Sequence, residues 1–241
     1  MKFNGWDISQ ADARQWNVTP GFHSVKNDSE WHRGSPQPVL LKNMADFKTI
    51  KVAMLVKAAG GRQAILQRCS EILMHFEKPG KLELDNFEHD FHGVMTKYTH
   101  NEKVMNRWHV LTIEFAGYEC AKTEVTQAFS GSQDFTVTNS GTMKTPVIVE
   151  ITPQAGAAEI TLTGLCRDPD TGEDLPVKIR ELTTGDKVTL DGITGLFTQG
   201  GELKAGDIDI WGLPALQSGN NQITVNNAWM DITVRFHPRF M

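Results

Sequence analysis

Hydrophobic and polar residues alternate along much of the C-terminal half of the chain. In residues 188–190 and 232–234, apolar and β-branched side chains occupy every second position, as in strands with one buried and one solvated face. Comparable runs recur at intervals of roughly 8 to 12 residues, a spacing typical of a β-sandwich or jelly roll. They span residues 147–152, 158–163, 176–182, 187–190 and 195–198. We therefore predict a C-terminal sandwich.

The N-terminal half has a different pattern, with a single predicted helix at residues 62–76. Its apolar positions draw one stripe at helical spacing; they are Ile65, Leu66, Cys69, Ile72, Leu73 and Phe76. Pro79 and Gly80 end the helix, because proline cannot continue the hydrogen-bond ladder and glycine accepts a left-handed exit. Strands are predicted at residues 50–56, 81–85, 88–96 and 108–115. These elements predict an α+β domain in which one helix packs on an antiparallel sheet.

A long irregular segment, residues 16–38, follows a short opening strand at residues 3–8. The segment contains three prolines and two glycines. Loops longer than about 12 to 15 residues are usually functional arms or disordered segments. We expect Trp31, His32 and Arg33 in this segment to contact a neighbouring subunit. The alternative is a mobile surface loop with one half-covered tryptophan.

The domain boundary is predicted at residues 127–133, which read Gln-Ala-Phe-Ser-Gly-Ser-Gln and have the small, polar composition of a linker. Residues 1–128 then form the α+β domain. Residues 129–241 form the β-sandwich, of the jelly-roll or galectin-like type. Two domains fit the length, because domains commonly have about 100 to 150 residues. The predicted fold class is mainly β.

Composition places the chain among ordinary soluble globular proteins, with 39% hydrophobic and 22% charged residues. No apolar run approaches the roughly 20 residues that cross a bilayer, and no apolar stretch follows the first residues as in a secretory signal. We therefore expect folding in a cytoplasm and no membrane contact. Cys69, Cys120 and Cys166 are odd in number and widely spaced, which argues against a disulfide framework and a zinc site.

Charge is distributed unequally between the two halves. Residues 1–128 contain 16 Lys and Arg against 15 Asp and Glu, a net charge of +1, whereas residues 129–241 contain 8 against 14, a net charge of −6. Nucleic-acid affinity depends on clustered Lys and Arg that neutralise phosphates. Lys51, Lys57 and Arg62 come nearest to such a cluster. We therefore expect no stable nucleic-acid binding.

Three local patterns invite a metal or phosphate site. His89 and His92 lie three residues apart, so on an extended strand they face opposite sides and cannot share an ion. Residues 168–174 resemble a calcium loop, but the glycine is one place early and Ile179 stands where a bidentate glutamate is required. A hairpin turn is favoured there. Two glycines before the helix lack the spacing of a phosphate loop, which favours a plain turn.

Catalytic signatures are also weak. The nucleophile-elbow and zinc-protease motifs are absent, so no catalytic, cofactor-binding or metal-ligating residue is assigned. His109 is interpreted as a half-buried strand residue. Asp207 and Asp209 share one strand face, which a glycosidase could use, although such an alternation is also typical of a solvated sheet edge.

The order of segments in the C-terminal half resembles one known family. A Gly-Asp strand leads into Asp-Gly at residues 185–192, Ile-Trp-Gly-Leu-Pro-Ala-Leu follows at residues 210–216, and Gly-Asn-Asn precedes a last strand ending in Arg-Phe. This order is similar to the C-terminal domain of distal tail proteins of long-tailed bacteriophages. The opening Phe-Asn-Gly-Trp-Asp-Ile-Ser, the helix followed by Pro-Gly, and Ile-Glu-Phe at residues 113–115 resemble the family's N-terminal domain.

The resemblance implies a structural component of the virion without a cofactor or enzymatic activity. It implies a ring, sixfold in this family, that joins the tail tube to the tip. The partners implied are further copies of the chain, the tail tube protein, the tape-measure protein and the tail-tip proteins. Some family members carry an inserted carbohydrate-binding module, for which this chain has no segment long enough.

Two other functions stay open at this point. A carbohydrate-binding sandwich would use Trp211 or Trp229 as a stacking platform, although strand alternation allows either residue to be in the core. A small glycosidase would use Asp207 and Asp209.

Overall fold

The structure is a computed structural model, and it describes residues 1–22, 25–30, 33–34, 36–37, 39–45, 47–101 and 108–241. The chain divides into two compact units: Met1–Cys120 together with Met241, and Ala121–Phe240. Strands dominate both units, and the described residues contain one α-helix. The prediction of a mainly β protein is confirmed.

The strands of the N-terminal half form one large antiparallel sheet and one separate hairpin. Their bounds are β1 Lys2–Phe3, β2 Trp6–Asp7, β3 Ala13–Pro20, β4 Val25–Glu30, β5 Val39–Ala45, β6 Lys48–Lys57, β7 Gly80–Glu83, β8 His89–Asn101 and β9 Trp108–Ala121. Along the large sheet the order is β2-β1-β7-β8-β9-β6-β3, and β4 pairs with β5. A short 3-10 helix, Ile8–Ala11, links β2 to β3.

The predicted helix is confirmed as α1, Arg62–His75. It ends at Phe76, whose backbone N–H donates to the carbonyl of Leu73. Its apolar stripe covers one face of the sheet, where Phe3, Phe76 and Phe115 form a cluster of aromatic rings. Because alternate residues of a strand face opposite sides, the other face of the same sheet carries the intervening side chains, both polar and apolar.

The opening of the chain is a tight hairpin rather than a single strand. Asn4 and Gly5 connect β1 to β2 with φ angles of 49° and 81°, the left-handed pair that suits the twist of a two-residue hairpin. The Asn4 side chain also accepts a hydrogen bond from the Lys81 amide at 2.8 Å. This contact ties the hairpin to the start of β7.

The strands of the C-terminal unit are shorter and more numerous. Their bounds are β10 Val125–Ser130, β11 Asp134–Asn139, β12 Thr145–Pro146, β13 Ile148–Pro153, β14 Ala157–Arg167, β15 Asp174–Leu182, β16 Val188–Asp191, β17 Phe197–Gln199, β18 Glu202–Leu203, β19 Ile208–Asp209, β20 Ala215–Leu216, β21 Gly219–Val225, β22 Met230–Phe236 and β23 Arg239–Phe240. A 3-10 turn, Ala205–Asp207, precedes β19.

Most of these strands belong to two antiparallel sheets that enclose one core. The orders are β10-β22-β13-β16-β17-β18 and β11-β21-β14-β15-β19, and β12 pairs with β20. Inward residues of both sheets, among them Ile151, Leu162, Ile179 and Val234, belong to one buried cluster. The unit is therefore a two-sheet sandwich, while its jelly-roll or galectin-like connectivity stays a prediction.

The boundary between the two units lies earlier in the chain than the sequence indicated, between residues 120 and 121 instead of at residues 127–133. Residues 127–130 of the expected linker lie inside β10, which pairs with β22 from Val125 through Ser130. Phe129 of this strand stacks on Phe135 with ring centroids 4.2 Å apart. Small and polar residues are compatible with an edge strand, so composition alone was misleading. A fragment that begins at Asp134 would lack β10.

Candidate assembly surface and other sites

The segment predicted as a long loop is built in part as strands. Residues 16–20 continue β3, and β4 and β5 form a hairpin. Of the three residues expected to contact a neighbouring subunit, Trp31 and His32 lie outside the described residues. Arg33 is described as an exposed turn residue in the connection between β4 and β5. The expected contact of these residues stays a prediction.

The β4–β5 hairpin hydrogen-bonds to itself alone among the described strands. An isolated two-stranded hairpin is at best marginally stable in water, because it cannot bury enough apolar surface. The sequence of β5 begins Val-Leu-Leu. A neighbouring surface that packs against this hairpin would stabilise it.

An apolar groove of about 530 Å³ opens on the large sheet near the ends of β7, β8 and β9. Phe47, Val94, His92 and Tyr118 contribute its side chains, and Phe47 is 60% exposed. The His92 and Tyr118 rings stack with centroids 5.5 Å apart. An exposed apolar groove of this kind is typical of a protein contact.

Glycines form the floor of this groove because the strands approach each other there. A Cβ on Gly117 would lie 1.9 Å from the carbonyl oxygen of His92, and one on Gly93 would lie 2.4 Å from that of Ala116. Gly93 stands alone inside a predicted strand, which is the sequence signal of such close approach, whereas Gly117 lies beyond the bounds predicted for its strand. Sequence analysis did not use this signal and missed the groove.

Charged groups border the groove on one side. The Lys81 ammonium lies 2.8 Å from Glu83 Oε1 and 3.4 Å from Asp90 Oδ2. The hydrogen bond to Glu83, followed by the Asp90 charge, raises the pKa of Lys81 above its usual value. Asp90 is buried, and its second oxygen has no hydrogen-bond partner among the described residues.

The face of β9 that carries Tyr118 also carries Trp108 ten residues earlier, and a basic and aromatic group lies there. Arg14 lies 5.0 Å and Lys57 lies 5.5 Å from the centroid of the Trp108 ring, so both cations contact one indole. Lys51, further along β6, is 3.5 Å from Glu114. Arg62 begins α1 instead of extending this group. The expected absence of nucleic-acid binding stays a prediction.

The two histidines that suggested a metal site have separate partners. His89 Nδ1 lies 3.5 Å from Glu119 Oε2, and Glu119 also binds Lys48 at 2.7 Å. His92 stacks on Tyr118 as described above. His109, interpreted as a strand residue, lies in β9 with its ring nitrogen 2.8 Å from that of His100. Among the residues the structure describes, no group of three potential ligands could hold an ion.

The cleft beside the N-terminus of α1 contains two carboxylates, which disfavour a phosphate. Arg68 lies 2.8 Å from Glu71 and 3.6 Å from Asp12, and all three line the cleft. The helix begins after Gly61 without a side-chain cap. These contacts favour the interpretation that the two glycines form a plain turn into a helix that packs on the sheet. No helix in the described part of the chain is long and apolar enough to span a membrane.

The candidate acidic sites of the C-terminal unit have structural roles. Asp168 accepts hydrogen bonds from the amides of Asp170 and Thr171 in the turn between β14 and β15, as expected of a hairpin. Asp207 lies in a 3-10 turn and pairs with Lys204 at 3.0 Å, whereas Asp209 lies on the short edge strand β19. The two therefore do not share one strand face.

Both tryptophans considered as sugar platforms are on the surface. Trp211 is 78% exposed and Trp229 is 65% exposed, so neither belongs to the core. Trp211 lies in the segment between β19 and β20, and Trp229 directly precedes β22. Cys69, Cys120 and Cys166 are buried free thiols.

Comparison with known proteins bears on the whole chain. Residues 140–240 match the family model described as siphovirus-type tail component, C-terminal domain. The fold matches the Dit protein of phage SPP1, described as a paradigm of the hub adsorption apparatus in phages that infect Gram-positive bacteria. That match has a TM-score of 0.78 and 14% identity, and covers 99% of this chain and 98% of the other. The resemblance to distal tail proteins is thereby confirmed.

Two further structures are similar at a lower level. They are the phage P2 baseplate in its activated conformation with calcium and with strontium, each with a TM-score of 0.49. The identities are 9% and 10%, and the matches cover 97% and 95% of this chain and 92% of each of theirs. Scores at this level carry no argument. No curated protein matches the sequence.

Proposed function

From a C-terminal unit that matches siphovirus-type tail components, we propose that this protein is a structural subunit of a phage tail tip. Copies of the chain assemble into a closed, sixfold ring in the virion. The ring connects the tail tube to the tip, with the tube protein, the tape-measure protein and the tail-tip proteins as partners. Its role is mechanical rather than catalytic, and it uses no cofactor.

The observation that carries this proposal is the family match over residues 140–240. The similarity to the SPP1 Dit protein over nearly the whole chain adds the same fold for the N-terminal unit. The family described by the model is a tail component, and a structural role fits the candidate acidic residues, whose carboxylates serve turns and ion pairs.

Two features of the N-terminal unit support assembly through this half. The β4–β5 hairpin lacks a strand partner among the described residues, and the large sheet carries an apolar groove with an exposed phenylalanine. A neighbouring copy can pair with the first and cover the second. The near-neutral charge of residues 1–128 allows copies to approach, whereas the acidic half repels itself.

Native mass spectrometry of the purified full chain tests the proposal. We expect a dominant species of six chains, each of 26.9 kDa, at micromolar concentration. A strictly monomeric mass would contradict the ring.

A double variant tests whether Trp31 and Arg33 contact a neighbouring copy. Trp31→Ala combined with Arg33→Ala should shift the mass distribution towards the monomer while leaving the melting temperature of the chain unchanged. Trp211→Ala combined with Arg167→Ala is the matched control, because it removes one exposed tryptophan and one exposed arginine from the C-terminal unit. Equal ring stability in the two double variants would reject the hairpin as a contact.

A further inference from the structure

The outward face of the sheet β11-β21-β14 carries a continuous set of hydroxyl and amide groups. Residues two apart on a strand share a face, and β11 and β21 pair so that Asp134 is opposite Thr224, Thr136 opposite Gln222, and Thr138 opposite Asn220. On the next strand, Thr163 is opposite Thr224. These outward side chains contrast with the apolar inward residues of the same strands.

The amides on this face have fixed orientations. The Thr136 hydroxyl donates to Gln222 Oε1 at 2.8 Å, and the Thr138 hydroxyl donates to Asn220 Oδ1 at 2.9 Å. The Thr161 backbone N–H donates to Asn226 Oδ1 at 3.0 Å. Because each carbonyl oxygen is occupied, each NH₂ group is directed away from it as a donor. The result is a row of oriented donors along β21 and just beyond its end, in which successive outward residues are about 6.8 Å apart. Of these amides, Asn226 lines the groove described next.

A groove of about 320 Å³ lies on this face and brings acceptors to the same place. It is lined by Gln133, Asp134, Thr161, Thr163, Thr224 and Asn226, with Val225 below. The Thr163 and Thr224 hydroxyls hydrogen-bond to each other, which orders two further polar groups. The exposed Asp134 carboxylate adds an acceptor beside the amide donors. Adjacent donors and acceptors of this kind match vicinal hydroxyl groups.

We propose that this groove is a binding site for an uncharged pyranose oligosaccharide. A polyanion is disfavoured by Asp134 and by the net charge of −6 in residues 129–241. An apolar peptide is disfavoured because hydroxyls, amides and a carboxylate dominate the lining. The site goes beyond the proposed assembly function and does not depend on it.

The direct test is a nuclear magnetic resonance titration of the full chain that follows the side-chain NH₂ signals. The probes are maltohexaose, cellohexaose and chitohexaose at concentrations up to 20 mM. Binding by one of them should shift the Asn226 and Gln133 signals, whose side chains line the groove, with a Kd on the order of 1 mM. The outcome that overturns the proposal is no shift of these signals with any of the three probes.

A matched pair of variants separates the site from a general effect of charge. Asn226→Asp keeps an oxygen for the Thr161 backbone N–H but removes the NH₂ donor in the groove, and it should weaken binding at least tenfold. Asn220→Asp makes the same change on β21 outside the groove, where it keeps an oxygen for the Thr138 hydroxyl, and it should leave affinity unchanged. Equal weakening in both would also overturn the proposal. The native mass of each variant reports ring assembly separately, so the two proposals fail independently.

Discussion

The two units bury their apolar residues in different ways. The C-terminal unit encloses its core between two sheets, so both sheets have one buried and one polar face. The N-terminal unit has one large sheet, which a single helix covers on one side, and a hairpin that pairs with nothing else described. Both units expose large apolar side chains, among them Phe47 in the first and Trp211 in the second. The groove and the hairpin are the features that support our proposal of assembly through the N-terminal unit.

The largest expected effect is the loss of the aromatic cluster under α1. Phe76 is fully buried between Phe3 and Phe115, with ring centroids 4.7 and 5.4 Å away. Phe76→Ala should lower the free energy of unfolding of the N-terminal unit by about 3–5 kcal/mol. Urea unfolding followed by circular dichroism measures it. Met74→Ala on the exposed side of the same helix should change it by less than about 0.5 kcal/mol.

The corresponding change in the sandwich should be of similar or slightly smaller size. Leu162 is fully buried in β14, and Leu162→Ala should reduce the unfolding free energy of the C-terminal unit by about 2–5 kcal/mol. The same urea titration measures this, with the 70% exposed Leu203→Ala as control. We expect Leu162→Ala to leave the hexamer mass intact and Phe76→Ala to abolish the hexamer, which would support assembly through the N-terminal unit. The reverse result would contradict it.

A smaller effect is expected at the floor of the groove. In Gly117→Ala the new methyl group would meet the backbone of β8, which a side-chain rotation cannot relieve. We expect a loss of about 1–3 kcal/mol in unfolding free energy, the usual range for overpacking. Thermal unfolding measures the loss. Gly206→Ala is the control, since nothing lies within 4 Å of its Cβ position, and an equal loss there would refute the close approach of strands.

The smallest effect concerns a turn of the sandwich. Burial raises the pKa of Asp191, but hydrogen bonds from the Thr194 hydroxyl and from the amides of Ile193 and Thr194 outweigh it and lower the pKa below its usual value. A carboxyl with a depressed folded-state pKa stabilises the fold above its unfolded pKa of about 3.9, and this contribution is lost as the pH falls through the folded value.

Asp191→Asn should therefore cost about 1 kcal/mol at pH 7, and the difference from the unaltered chain should shrink below about pH 4. Denaturant titrations from pH 7 to pH 3 measure this difference. A difference in unfolding free energy that stays constant with pH would contradict stabilisation by the ionised Asp191 carboxylate. Asp170→Asn, on an exposed turn residue, is the control.

Sequence patterns predicted the elements whose burial follows a local period. The stripe of α1 and the alternating strands β6, β13 and β22 are of this kind, because each has one face in a core. Prediction failed where the composition of a segment indicated a linker but its backbone pairs in a sheet. Residues 127–130 look like a linker, yet their backbone pairs with β22, a strand about 100 residues away.

The candidate sites were harder to predict because they are assembled from distant segments. The groove combines Phe47 with residues of β7, β8 and β9, and no local pattern reveals that Gly93 and Gly117 lie together. The oriented amides of β21 depend on threonines of β11, more than 80 residues away. The exposure of Trp211 and Trp229 likewise follows from tertiary structure, since alternation allowed a core position for each.

Electron microscopy of the purified full chain tests the central claim most directly. Class averages should show closed rings of six identical copies, joined through the N-terminal units, with the sandwich of each copy remaining outside the ring contact. Particles of single-chain size, or open filaments, would contradict the account.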